Sequence, residues 1–447
     1  MPVPICDLIA QGFVTPTAES LFMPLNEAQN TETAGSKAVR TPVRLSFVSA
    51  VAAAWGPGLL VMLADTDVGN VVTAAQAGSV WGYRLLPVLI GLIPVLFIAQ
   101  DIAVRIGLST RRGFGEMVRE KFGVIGGLVA AVALIAATLG SLITELTGIA
   151  GVGELFGLSR SIVLPMASLV LILVVATGEY RRVERIALLF GLFELCFFAV
   201  AWSSHPQGSQ ILGDIADQKW TEPGYLYLGA GLIGATFNPW MIFYQASAVA
   251  EKRLTNAHYG AARLDTLVGA ILTQLATAAV LVTIAALNRS GTGLPLETIG
   301  QISHALTPFL GETFGRAIFG VGVVGAAMAA AIVSSLACAW GLGEIVGLKR
   351  SLEHPARNRI AYVLIYAAWV IASAVLVLFV RDLVWLSVAM QVLNALLLPV
   401  IAVFLIVIAA KLLTDTARLS GLYLGLAVVS LGAVAVAGMI GALAGLF

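Results

Sequence analysis

Apolar residues run along this chain in long unbroken stretches, and short polar segments between them carry most of the charge. A helix needs about 20 mostly apolar residues to cross the hydrocarbon of a bilayer. The runs are continuous and rich in Ala, Leu, Val and Gly, without the alternation of a transmembrane strand, so they predict helices rather than a β-barrel. Eleven spans are expected, at about 47–76, 84–107, 124–156, 161–178, 184–204, 226–250, 264–287, 314–347, 359–380, 383–410 and 420–446. Residues 1–44 are polar and lack an apolar core followed by a cleavage site. They read as a flexible cytoplasmic tail ahead of a transmembrane domain over 45–447.

Composition agrees: 59% of the 447 residues are hydrophobic and 11% are charged, a balance that excludes an ordinary soluble domain. With the tail in the cytoplasm, 20 of the 26 Lys and Arg fall in inside loops. The opposite loops hold Arg84, Arg160, Lys219, Arg289, Arg316 and Arg381. The positive-inside rule then orients the chain N-in, C-out in a cell (inner) membrane. A net charge of +1 gives no reason to expect a nucleic-acid partner; the bilayer is the expected surroundings. Cys6, Cys196 and Cys338 are too scattered for a disulfide framework or a zinc site. The histidines, His205, His258, His304 and His354, lie in loops or at span ends without a HExxH motif, so neither an enzyme nor a resident cofactor is expected.

Two spans are interrupted. The first contains Gly56-Pro57-Gly58 and then the polar block Asp65-Thr66-Asp67-Val68-Gly69-Asn70. A charged side chain at the bilayer centre costs at least about 2.5–3.5 kcal/mol, and irregular backbone survives at that depth only where it lines a protein-walled cavity. No Lys or Arg falls near mid-depth of any span to pair with the acids. In the sixth span, LIGATFNPWMIFYQASAV, Asn238-Pro239 follows Gly234-Ala235-Thr236, and Pro239 frees carbonyls near Ala235. Breaks in spans one and six occupy corresponding positions of two five-helix halves, about 47–204 and 226–410, which points to inverted repeats with a binding site at the midplane. The last span, about 420–446, is an addition to that frame. Together the breaks offer the Asp67 carboxylate, the amide oxygens of Asn70 and Asn238, and a carbonyl near Ala235, with Asp65 as a further acid. Such hard oxygen ligands suit Mg²⁺, Ca²⁺ or Mn²⁺ as transported substrate.

The stretch GPGLLVMLADTDVGNVVTAAQAG resembles the first helix of the NRAMP divalent-metal transporters, whose signature there is Asp-Pro-Gly-Asn. GLIGATFNPW resembles their sixth, with Ala-Thr-x-Met-Pro-His. The likeness continues through QDIAVRIGLSTRRGFGEMVREKFG, RRVERIALLFGLFEL, ARLDTLVGAIL, SSLACAWGLGEIVGL and MQVLNALLLPV, almost everything after the tail. The resemblance implies a LeuT-like five-plus-five inverted repeat working by alternating access. It makes Asp67 and Asn70 metal ligands, Ala235 a backbone-carbonyl ligand and Gln391 a polar group near the ion.

The departures from the family pattern carry their own implication. Asn238 stands where the family has a methionine thioether, and Asp65 adds an acid, as in the NRAMP-related magnesium transporters. Trp240 and Gln245 occupy the positions of two histidines in proton-coupled members. The third helix, TLGSLITELTG, keeps Glu145 but has Leu142 in place of an aspartate, so the proton path looks dismantled. Glu145 is either a further acid of the ion cavity or a helix–helix hydrogen-bond partner. Thr236 belongs to the same wall, while Glu194 and Glu344 read as structural. The expected function is import of hydrated or partly hydrated Mg²⁺, and also Mn²⁺, without proton coupling. The alternatives are a proton-coupled Mn²⁺/Fe²⁺ importer and a Na⁺-coupled organic-solute carrier on the same fold. The last is disfavoured because the first break presents acids where a carboxylate substrate needs N–H donors.

Overall fold

The computed structural model describes residues 56–177, 180–287, 296, 298–306, 311–347, 356–380, 382–413 and 417–445. The expected tail, Cys6, the start of the first span at 47–55, Arg289, His354 and Arg381 lie outside the described residues. Among those described, every regular element is a helix. In chain order they are α1 (Pro57–Leu63), α2 (Val68–Trp81), α3 (Leu86–Thr110), α4 (Phe114–Leu155), α5 (Arg160–Ala176) and α6 (Tyr180–Gly191). A 3-10 turn at Leu192–Leu195 leads into α7 (Cys196–Ser203), α8 (Gly208–Ala216), α9 (Pro223–Thr236) and α10 (Pro239–Glu251). The chain continues through α11 (Tyr259–Leu287), α12 (Ile299–Leu306), α13 (Glu312–Val346), α14 (Ala356–Phe379), α15 (Leu383–Val407) and α16 (Gly421–Ala444).

Eight helical segments among the described residues are long and apolar enough to cross a membrane, and α1 with α2, bent by 49°, passes as a ninth. Helix α5 and the Val363–Phe379 part of α14 are shorter apolar helices. Both interrupted spans are pairs of half-helices, as their Gly, Pro and Asn content suggested. Helix α1 ends at Ala64, and Asp67 opens α2 by accepting the Asn70 N–H at 2.7 Å. Helix α9 ends at Thr236, Phe237 leaves the helical region, and Asn238 and Pro239 start α10.

Two spans differ from the hydropathy reading. Helix α4 begins at Phe114 rather than near 124, because its first turns are charged and half-exposed, with Arg112 pairing Glu116 at 3.3 Å. Gly123, at φ 71°, then turns the chain into the apolar part. The fifth span is α-helical, then 3-10, then α-helical again, with the tight turn at its middle.

Several buried acids hold the bundle together. Asp101 of α3 takes Arg105 Nε at 2.9 Å, the Tyr259 hydroxyl at 2.8 Å and the Tyr423 hydroxyl at 2.7 Å, joining α3, α11 and α16. Glu344, near the end of α13, accepts the Ser247 hydroxyl at 2.6 Å and the Gly115 N–H at 3.1 Å. Asp265 of α11 accepts the Gly58 N–H at 2.7 Å and the Gly56 N–H at 3.3 Å, capping the start of α1. Close by, Lys252 pairs with Glu184 at 2.8 Å. Outside the bundle, hydrogen bonds from Lys219 and Arg84 hold the exposed Asp217 carboxyl below the usual carboxylate range.

Candidate metal-ion site

The two breaks meet in a fully enclosed polar junction. Asp65, Asp67, Asn70, Thr236, Asn238 and Gln391 are all buried, and so are the Ala235 backbone and Glu145. Asn70 Nδ2 donates to the Ala235 carbonyl at 3.0 Å and to the Asp65 carbonyl, tying the first break to the sixth span. Asn238 Nδ2 reaches the same Ala235 carbonyl at 3.0 Å and the Asp65 carboxylate at 3.3 Å. From α15, Gln391 Nε2 lies 3.5 Å from Asp67 Oδ1. The structure therefore brings Asp65, Asp67, Asn70, Ala235, Asn238 and Gln391 into one connected network.

Several oxygens in this junction have no hydrogen-bond donor: Asp65 Oδ2, Asp67 Oδ2, Asn70 Oδ1 and Glu145 Oε1. A buried acceptor left unpaired costs about 1–3 kcal/mol, more when charged. A bound cation is the kind of partner that such acceptors lack. Among the described residues no three His, Cys, Asp or Glu side chains converge tightly enough to hold a metal by themselves. The donor set is instead mixed, with carboxylate, amide and carbonyl oxygens. That chemistry fits a hard cation. The Ala235 carbonyl already serves two amide donors, so its use as a ligand requires one of those amides to turn.

The other expected residues sit around this network. Glu145 of α4 accepts the Val68 N–H at 3.2 Å, beside Asp67 at the start of α2. Thr236 donates to the Leu232 carbonyl and receives Gln274 Nε2 at 3.0 Å. Trp240 is buried with its indole N–H unpaired, and Gln245 lies further along α10 with Nε2 3.4 Å from the Thr266 hydroxyl. No hydrogen bond among the described residues links Trp240 or Gln245 to the Asp65–Asn238 network.

Sequence reasoning missed Asn394. Its Nδ2 donates to Asn238 Oδ1 and, at 3.0 Å, to Gln391 Oε1. A signal was present: Asn394 follows Gln391 by three residues, which puts both on one helix face. Thr273 was also missed; its hydroxyl pairs with that of Thr66 at 2.7 Å.

Two half-helix breaks closing on a buried, acceptor-rich junction define a broken-helix membrane fold with a central site. Solved structures share that fold. A manganese transporter of Eremococcus coleocola, crystallised with an aromatic bis-isothiourea substituted compound, is similar at TM-score 0.71 and 17% identity, over 88% of this chain and 86% of that one. A substrate-bound, outward-open Na⁺-coupled sialic acid symporter is similar at TM-score 0.59 and 15% identity, over 88% and 90%. In sequence, divalent metal cation transporter MntH 1 of Pseudomonas aeruginosa is 28% identical over 326 residues, covering 68% of this chain and 72% of that protein. Divalent metal cation transporter MntH of Brucella suis biovar 1 is 26% identical over 311 residues, covering 65% and 66%. Residues 58–444 match the family described as natural resistance-associated macrophage protein-like, and the chain belongs to this Nramp family.

Proposed function

We propose that this Nramp-family chain is a divalent-cation transporter, not an enzyme, that imports Mg²⁺ in preference to transition metals. It also carries Mn²⁺, and works by alternating access without proton coupling. Family membership and the names of the relatives support divalent-metal transport. The observation that carries the Mg²⁺ preference is Asn238. It places a hard amide between Asp65, the Ala235 carbonyl and Asn394 at the break, where the resembled signature has a thioether. Mg²⁺ dehydrates reluctantly and keeps several waters, so an acceptor-rich junction of amides and carboxylates suits it. The proposed arrangement is eleven spans, N-in/C-out, in the cell membrane; the eight or nine long apolar segments among the described residues, with the shorter apolar helices α5 and Val363–Phe379, support it. The deciding experiment compares Mg²⁺, Mn²⁺, Ca²⁺ and Fe²⁺ uptake into proteoliposomes at two external pH values.

Asn238→Met is expected to lower the ratio of Mg²⁺ to Mn²⁺ or Cd²⁺ uptake by about tenfold, because a thioether favours softer ions and cannot hold a metal-bound water as an amide oxygen does. An unchanged ratio in correctly inserted protein would show that Asn238 does not face the ion.

Uptake is also expected to proceed without acidifying the vesicle lumen. Trp240 and Gln245 do not titrate near neutral pH, and Leu142 has no proton to relay. Each elementary charge gains about 2.3 kcal/mol per 100 mV of inside-negative potential, and a divalent ion about twice that. The potential alone therefore suffices for entry. Glu145 favours the second reading, a proton-coupled Mn²⁺/Fe²⁺ importer, because it puts a buried carboxyl beside Asp67 at the start of α2. Metal-dependent acidification that persists with the potential clamped, recorded by an enclosed pH dye, would favour that reading.

A further inference from the structure

The middle of the fifth span holds an acid that the junction described above does not use. Glu194 lies on the 3-10 turn Leu192–Leu195, is completely buried, and makes no hydrogen bond of standard geometry from either carboxylate oxygen. Its neighbourhood belongs to the first break. The Thr66 hydroxyl lies within hydrogen-bonding influence of it, and Asp65, Asp67 and Glu145 lie within electrostatic reach. Gly191 makes the approach possible: a Cβ there would stand 2.9 Å from Leu63 Cβ, at the end of α1. The switch from α-helix to 3-10 directly after this contact is the kind of local tightening that marks functional positions inside long helices.

A packing role explains little of this. Buried carboxylates that serve packing are paired, as Asp101, Asp265 and Glu344 are. None of the ion pairs among the described residues involves Asp65, Asp67, Glu145 or Glu194. Yet these acids do not converge closely enough to grip a bare ion. Acids gathered round one place, but too far apart for direct ligation, suit a cation that still carries water between itself and the protein. Mg²⁺ binds oxygen at about 2.0–2.1 Å and usually retains several waters.

We infer that Glu194 is a further acid of the ion path, accepting hydrogen bonds from the water shell of a divalent cation held at the Asp67 break. The inference rests on the proposed transport of divalent cations and assigns the residue that favours their hydrated form. Glu194 acts through water, as a positioning residue, while Asp67 and the amides face the ion itself.

The test uses the full chain in proteoliposomes at fixed inside-negative potential, comparing Glu194→Gln and Glu194→Asp with the parent. Initial uptake is measured against Mg²⁺ and Mn²⁺ concentration, with cobalt(III) hexaammine as competitor because its fixed ammine shell imitates hydrated Mg²⁺. Glu194→Gln is expected to raise the Mg²⁺ KM about tenfold, the scale of one hydrogen bond to a charged group. It should raise the Mn²⁺ KM less, alter the maximal rate little, and weaken hexaammine inhibition in step with Mg²⁺. Glu194→Asp should recover part of the loss. KM does not depend on how much protein inserts, so reduced yield leaves the reading intact. An unchanged KM for both ions overturns the inference, as does a Glu194→Gln protein that cannot be recovered folded, the mark of a packing role. If the parent carries Mn²⁺ but not Mg²⁺, the magnesium preference falls, while the Mn²⁺ KM still reads Glu194.

Discussion

Asp67→Ala is expected to reduce divalent-ion uptake by about 100-fold or more, which corresponds to about 2.7 kcal/mol, while the protein still inserts and purifies as a single species. The carboxylate has two separable duties. Oδ1 accepts the Asn70 N–H at 2.7 Å and so starts α2, and Oδ2 makes no hydrogen bond of standard geometry. Loss of such a cap costs about 1 kcal/mol, which a bundle of this size absorbs. Loss of the anion removes the charge at the centre of the acceptor network. Asp67→Asn separates the duties, because the amide oxygen still caps α2 while the charge is gone. Both variants should therefore fail in transport, and only the alanine should lose a degree or two of thermal stability. Uptake like the parent's from correctly inserted Asp67→Ala would sink the site assignment.

Gly234→Val is expected to be the most damaging single substitution for both stability and transport. A Cβ at this position would stand 1.7 Å from the Gln391 carbonyl oxygen and 2.7 Å from the Ala395 nitrogen. These are backbone atoms of α15 and cannot rotate aside, so α9 and α15 must separate. Overpacking of this kind costs about 1–3 kcal/mol or more, and small residues are what allow membrane helices to approach closely. The same separation pulls Ala235 and Asn238 away from Gln391 and Asn394. Gly91→Ala in α3 is the natural control, because a Cβ there meets nothing within 4 Å. Thermal unfolding in detergent together with uptake should show a large loss for Gly234→Val and none for Gly91→Ala. Equal stability of the two would mean that this helix contact is looser than the geometry states.

The features legible in the sequence were those that contradict their surroundings. Asp65, Asp67 and Asn70 in an apolar run, and Asn238-Pro239 in another, are costly at mid-depth, so each demanded polar surroundings, and the structure joins them in one buried hydrogen-bonded network. The span pattern was equally open, because hydrocarbon imposes length and continuity. Less legible was everything that depends on which helices lie together. Asp265 looks from sequence like any acid near a span end, and its capping of α1 crosses 207 residues of chain. Glu194 was read as structural because nothing in FGLFEL shows that the chain there tightens to 3-10 or that Thr66 lies opposite. The charged start of α4 escaped a hydropathy reading because only the stretch beyond Gly123 is apolar.

The cap that Asp265 places on α1 bears on movement. Helix α1 is seven residues long, and its first turn is held through the Gly56 and Gly58 N–H groups, with the Glu184–Lys252 pair close by. In an alternating-access cycle that swings this half-helix outward, those N–H groups and the carboxylate exchange each other for water, and hydrogen bonds to a charged group are worth about 1.5–3 kcal/mol. None of these groups belongs to the Asp65–Asn238 network. If this half-helix moves during transport, the grip of Asp265 is a cost to that movement set by groups outside the Asp65–Asn238 network, and so the same for every ion carried.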